Sequence, residues 1–206
     1  MARLDEMLAV PIGSLAGPLD NLGSVERETG LGDLVADAFR EAAGADVALV
    51  LGSSLRAPLP AGPLTRRHAM AVLPFGNRVV ALELTGAALR AALERGLSSA
   101  GRRTGSLLQV SGLGLVADLS APEGQRLLEA RVGGAPLDVD AVYRVAVSSH
   151  LASGGDGHVE IAGGHRRPDA GAPLDVDALE AHVARASAGG PAPAPPAGRI
   201  TVRVRR

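Results

Sequence analysis

Two Phe, one Tyr and no Trp or Cys in 206 residues leave this chain little except Leu, Val and Ala from which to build a core. A buried aliphatic side chain contributes roughly 1.5–3 kcal/mol, so many small side chains must pack closely, without help from a disulfide or a Cys-liganded zinc. The material is present: 46% of residues are hydrophobic and 21% are charged, the profile of one globular domain. The 21 basic residues are all Arg and face 22 acidic ones, for a net charge of -1. No general pull toward nucleic acid or an anionic membrane follows from that balance, and any anion must be held locally. Without Lys there is no Schiff-base enzyme, no Walker P-loop and no Ser-Lys hydrolase. Nor is there a thiol nucleophile. No uncharged apolar run reaches the roughly 18 residues of a membrane span, and the N-terminus lacks the apolar stretch of a signal peptide. As written, the chain is therefore expected in the cytoplasm, or in the periplasm or outside the cell if an upstream segment is missing.

Leu4, Met7 and Leu8 have helical spacing that stops at Pro11, as the end of a longer helix would. From Leu31 to Ala43 apolar residues recur at three and four, and Gly44 follows as a cap, which predicts an amphipathic helix and then a buried strand over 46–51. A second strand and helix are expected over 78–84 and 85–97, with Thr85 as N-cap. Further strands are expected at 107–110, 113–118, 127–132 and 142–147, then a helix over 176–185. A polyproline spacer over 189–198 leads to a strand over 199–204 that presents Arg199 and Arg203 on one face. The heptapeptide Ala-Pro-Leu-Asp-Val-Asp-Ala at 135–141 recurs at 172–178, once before a strand and once before a helix. A turn in the first copy and an N-cap in the second account for both.

Three segments stand out chemically. In Ser153-Gly154-Gly155-Asp156-Gly157-His158, glycines let backbone approach a ligand while aiming one carboxylate; a plain turn is the alternative. In Leu73-Pro74-Phe75-Gly76-Asn77, one of only two Phe residues stands in a loop, where a base or sugar can stack on it. Gly52-Ser53-Ser54-Leu55-Arg56 follows a strand and offers backbone N–H groups and an Arg to an anion. Arg56 occupies the last position of a G-x-S-x-G elbow, which argues against a serine hydrolase. The five His residues have no tight ligand spacing, and Asp156-x-His158 is the nearest approach to a metal pair.

In this order the segments resemble the C-terminal domain of the 5'-nucleotidase and UDP-sugar hydrolase family. The resemblance rests on Arg27-Glu-Thr-Gly-Leu-Gly-Asp-Leu-Val-Ala-Asp-Ala38, Leu51-Gly-Ser-Ser-Leu-Arg56, Leu73-Pro-Phe-Gly-Asn77, Leu108-Gln-Val-Ser-Gly112 and His150-Leu-Ala-Ser-Gly-Gly-Asp-Gly157. It implies that this domain binds the nucleoside, while a separate metallophosphatase domain holds a divalent metal pair and does the hydrolysis. Its signature runs are absent here, so no cofactor is expected in this chain. By resemblance, Phe75 stacks on the base, Asn77 and Gly112 line its pocket, Asp156 accepts the ribose hydroxyls and Arg56 holds phosphate. Arg27, Gly154 and Gly155 are weaker candidates. The chain departs from the family pattern at Leu51, where Asn is usual, at Ser53 and Ser54, which replace glycines, at His150, which replaces a second stacking Phe, and at Val25, which replaces an Arg.

The expected fold is α+β, a single compact domain with mixed β-sheet packed by helices. Residues 1–21 are expected as a remnant interdomain helix and linker, 22–188 as the domain, 189–198 as a spacer and 199–206 as the domain's last strand. The expected function is weak nucleoside or nucleotide binding in nucleotide catabolism, without activity in isolation. Two alternatives are a subunit that completes a split phosphohydrolase with a separate metallophosphatase chain, and a decayed scaffold with a structural role. Neither nucleic acid nor membrane is expected as a partner.

Overall fold

A computed structural model of the chain describes residues 2–99, 107–166 and 171–203. The opening helix α1 (Ala2–Leu8) gives way at Pro11 to a strand, β1 (Pro11–Leu15). Ile12, Leu15 and Leu19 are buried, so the stretch expected as a linker is part of the packed body. Helix α2 (Gly30–Ala43) begins where Thr29 Oγ1 accepts the Gly32 N–H at 3.1 Å, and it ends at a left-handed Gly44. Its apolar face buries Leu31, Leu34, Val35, Ala38 and Phe39.

Strand β2 (Val47–Leu51) follows and is buried at every position. An antiparallel partner for β1 comes next, β3 (Gly62–Thr65), and then α3 (Arg66–Val72), where His68 Nδ1 accepts the Thr65 backbone N–H. β4 (Val79–Thr85) leads into α4 (Gly86–Ser99), and Thr85 Oγ1 accepts the Ala88 N–H as the sequence predicts. Four strands come next: β5 (Leu108–Ser111), β6 (Leu113–Asp118), β7 (Leu127–Val132) and the short β8 (Ala135–Pro136). The chain continues through β9 (Val142–Ser148), the short helices α5 (Ser149–Ala152) and α6 (Val159–Ala162), β10 (His165–Arg166), α7 (Asp175–Ala186) and β11 (Ile200–Arg203).

The strands make a mixed five-stranded sheet in the order β10-β4-β9-β2-β5, a four-stranded sheet β11-β6-β7-β8 and the β1-β3 pair. Within the larger sheet only β2 and β9 run parallel. Strand alternation sends Ala48, Val50, Val79 and Ala146 to one face, against α2, α3 and α7. Val47, Leu49, Val80, Leu82, Val145 and Val147 go to the other face, where α4 and the four-stranded sheet cover them. Burial on both faces explains why β2 reads as a continuous apolar run rather than an alternating one.

Three local expectations need correction. Arg199 and Arg203 do not act on one face: Arg199 precedes β11 and turns inward onto Asp37 of α2, while Arg203 stays exposed beside Glu129 of β7. The second heptapeptide copy puts no carboxylate at the N-cap position of α7, although Asp175 Oδ1, one residue on, accepts the Val176 N–H at 2.8 Å. Leu174 is the N-cap, and Asp177 instead pairs with Arg66. The polyproline spacer is anchored rather than free, because Ala192 is buried and exchanges backbone hydrogen bonds with Ser14 and Ala16 of the β1 segment. The Glu28 carboxylate then accepts three successive N–H groups, from Gly198, Arg199 and Ile200.

Candidate functional site

β2 and β9 run parallel, and antiparallel β4 starts where β9 ends, with Val79 opposite Ser148. Three connections therefore meet at one end of these interior strands: the turn after Leu51, the loop before Val79 and the loop after Ser148. In open sheets ligands bind outside the carboxyl ends of such strands. Here the three connections enclose a cavity of about 240 Å³ lined by Leu51, Ser53, Ser54, Phe75, Asn77, His150 and Asp156.

The backbone explains how each side chain arrives. After Leu51 the chain makes a single 3₁₀ turn, Gly52–Ser54. A Cβ on Gly52 would lie 1.9 Å from the Ser24 carbonyl oxygen, so only glycine lets the 20–28 loop close over the end of β2. Ser24 Oγ donates to Gly52 O at 2.9 Å, and the buried Gln109 ties the same loop down by donating to Ser24 O and Arg27 O. Phe75 stands between Pro74 and a left-handed Gly76 and is 61% exposed, a costly position for one of two Phe residues unless something covers its ring. Asn77 is held from both sides: its carbonyl accepts the Asp175 N–H at 2.8 Å, and Ser149 Oγ donates to its Oδ1 at 3.4 Å.

His150 lies on α5, where Ser148 Oγ accepts the Leu151 N–H. Its ring is laid so closely on Gly155 that a Cβ there would come within 2.3 Å of Nε2. The next residue, Asp156, has φ 54° and is the one non-glycine residue with positive φ among those described. That left-handed backbone is costly for a side chain bearing a Cβ, and such outliers concentrate at ligand sites. It aims the carboxylate back across the cavity, where Ser53 Oγ donates to Oδ2 at 3.2 Å and His150 Nε2 lies 3.5 Å from Oδ1.

The residues expected from the sequence do not all meet. Phe75, Asn77, His150 and Asp156 line the cavity. Arg56 stands at the rim, with Nη1 donating to Ser53 O at 3.2 Å. Gly112 lies elsewhere: β5 runs antiparallel to β2, so the residue after Ser111 falls near Asp46, at the opposite end from Leu51. Arg27 is also outside, with its guanidinium turned onto Leu22 O at 2.7 Å. Gly154 supplies a left-handed turn before the 3₁₀ segment, and Gly155 is the bed for the His150 ring. Ser53 and Ser54, in the sequence a segment that offers backbone N–H groups to an anion and a departure from the family pattern, line the cavity as well. His158 does not join Asp156, because it is buried on the other side of the turn, where burial pushes its imidazole below the usual histidine range. Among the described residues no group of three or more metal-ligating side chains converges, and no helix is long and apolar enough to cross a membrane.

Residues 11–163 match the 5'-nucleotidase, C-terminal domain family. The chain belongs to this family. Over 180 residues it is 33% identical to the snake venom 5'-nucleotidase of Naja atra, matching 77% of this chain and 34% of the venom protein. It is 35% identical over 141 residues to the trifunctional nucleotide phosphoesterase protein of Bacillus subtilis, which is 64% of this chain and 10% of that one. Among solved structures, the 5'-nucleotidase precursor of Thermus thermophilus superposes with a TM-score of 0.88 at 34% identity, over 98% of this chain and 41% of that one. The chain thus spans less than half the length of these relatives. As a 5'-nucleotidase C-terminal domain it is α+β, and the cavity lies on loops that carry the family's motifs.

Proposed function

We propose that this chain is the nucleoside-recognising half of a 5'-nucleotidase-type phosphohydrolase. The observation that carries the reading is that an exposed Phe75 ring and the carboxylate of Asp156, held on a left-handed backbone, line one cavity. A ring face suits any base, and a carboxylate is an acceptor for sugar hydroxyls. Asn77 and His150 complete the wall, and Arg56 at the rim suits phosphate. Stacking is worth roughly 1–3 kcal/mol and a hydrogen bond to a charged group roughly 1.5–3. Together they reach the roughly 4 kcal/mol of millimolar binding.

The metal pair and the hydrolytic step belong, on this reading, to a metallophosphatase unit, either upstream in a longer product or in a separate chain. Exposed Leu4, Met7 and Val10 at and after α1 favour contact there. Calorimetry with adenosine and with AMP tests the reading, repeated on Phe75→Ala and on Asp156→Asn, which tolerates the left-handed backbone. Heat in the parent that is lost in both variants is expected. No heat up to several millimolar with either ligand overturns it.

A further inference from the structure

Leu108-Gln-Val-Ser-Gly112 is one of the segments on which the family resemblance rests, yet Gly112 lies at the opposite end of β5 from the cavity. The member of that segment that reaches the site is Gln109, and it does so through a loop. Gln109 stands opposite Val50 of β2 and is fully buried. Its three hydrogen bonds all go to one stretch of backbone: Nε2 donates to Ser24 O at 2.7 Å and to Arg27 O at 2.8 Å, and Oε1 accepts the Thr29 N–H at 3.0 Å. A buried amide that satisfies three main-chain groups fixes their positions, because each loses its partner if the amide leaves. Helix α2 makes room for it, since a Cβ on Gly32 would lie 2.2 Å from Oε1.

The loop held in this way brackets the turn that follows β2. Ser24 Oγ donates to Gly52 O at 2.9 Å and Asn21 Nδ2 donates to Leu55 O at 3.0 Å, so the turn is gripped at both ends. That turn supplies part of the cavity wall: Ser53 and Ser54 line it, and Ser53 O accepts from Arg56 Nη1 at the rim. Phe75 and Asn77 come from a different connection. Their loop is anchored where Asn77 O accepts the Asp175 N–H and Arg78 O accepts the Ser149 N–H, and neither bond passes through Gln109.

We infer that Gln109 is a positioning residue for this site, which touches no ligand itself and sets the Gly52–Arg56 turn through the 20–28 loop. Binding groups work only when their supports hold them to about 0.5 Å. Loss of the amide therefore weakens the anion-holding end at Arg56 more than the base-holding end at Phe75. The inference rests on the nucleoside-binding reading above and adds to it a residue outside the cavity.

The test uses the full chain and two variants. Gln109→Met keeps the length of the side chain and makes none of the three bonds, while Ser24→Ala leaves both backbone contacts of Gln109 in place and breaks the hold on Gly52. Residue-by-residue hydrogen exchange reads the positioning directly. The Gly52, Leu55 and Arg56 amides, bonded to Leu107 O, Gly52 O and Val72 O, report on the turn, and the Ser149 and Asp175 amides report on the connection that carries Phe75 and Asn77. In both variants the turn amides are expected to lose at least tenfold more protection than the other two. By calorimetry, the dissociation constant for AMP is expected to rise at least fivefold more than that for adenosine. Protection lost by one common factor at all five amides means that Gln109 only adds stability, and overturns the inference. So does an unchanged ratio of the two affinities. Should Gln109→Met fail to fold, Ser24→Ala decides by the same two readouts. If neither ligand binds the parent, the nucleoside reading falls, and the exchange data alone decide whether Gln109 sets the turn.

Discussion

Arg199 lays its guanidinium fork on Asp37, with Nη1 2.8 Å from Oδ1 and Nη2 2.8 Å from Oδ2. The same Nη1 donates to Val110 O at 2.9 Å, and Ser111 Oγ donates to Asp37 Oδ1, so the pair joins α2, β5 and the entry to β11. Burial works to raise the Asp37 pKa, but the hydrogen bonds from Arg199 and Ser111 outweigh it and hold the carboxyl below its usual range. Removing one partner of a largely buried pair strands the other. Arg199→Ala should cost about 3 kcal/mol, and Arg199→Lys should recover only part because an ammonium cannot make the fork. Urea unfolding checks both, and a cost under about 0.5 kcal/mol for the Ala variant would place the pair with ordinary surface bridges.

Asp33, one turn before Asp37, has a side chain only 1% exposed, and neither carboxylate oxygen has a hydrogen-bond partner. Burial pushes its pKa up to about 8, against a favourable pull from Arg199 and with added repulsion from Glu28. The folded state therefore keeps a proton that the unfolded chain has released. A raised carboxyl pKa contributes stability that is complete below about pH 4 and lost as pH rises toward about 8. His158, held neutral by burial, works the other way but only below its unfolded value of about 6.5. Between pH 6.5 and 8 stability should fall by up to about 1.4 kcal/mol per pH unit as Asp33 titrates. Urea midpoints across that window should show a distinctly shallower slope in Asp33→Asn. Identical slopes would mean Asp33 is ionised in the fold.

Asp156 makes a different kind of prediction, because its cost lies in the backbone. At φ 54° an alanine meets the full left-handed penalty and a glycine does not. Asp156→Gly should be more stable than Asp156→Ala by about 1 kcal/mol, although both lose the Ser53 bond and both should lose nucleoside binding. Thermal unfolding of the two variants side by side decides it. Equal stability would show that the loop relaxes away from this conformation when the carboxylate is gone.

The long elements were legible because their signals are local. The three-four spacing from Leu31 to Phe39, with Thr29 before it and Gly44 after, specifies α2 without reference to the rest of the chain. Strands β4, β6, β7 and β9 carry alternation or apolar runs bounded by turn residues. What escaped were elements that exist only through tertiary pairing: β1 and β3 are short, lie either side of α2, and are strands because they find one another. The site divided in the same way. Phe75, His150 and Asp156 were readable as residues in motifs, but the meeting of Ser53 with Asp156, 103 positions away, depends on β2 and β9 running side by side. Gly112 was misplaced for the same reason, since a linear motif does not say which end of a strand its last residue reaches.

The β2–β9 pair that carries the site is wedged between two cores, with apolar side chains on both of its faces. Any shift in those strands would disturb packing on two sides, whereas beyond Leu51 and Ser148 the loops touch the cores through Leu55 and Leu151, and the cavity-lining Ser53, Ser54, His150 and Asp156 belong to neither. Ligand preference in such a scaffold is modular. With Leu55 and Leu151 kept in place, the lining positions of the two loops can be exchanged for those of a relative, and ligand preference should travel with them while the melting behaviour stays with the recipient.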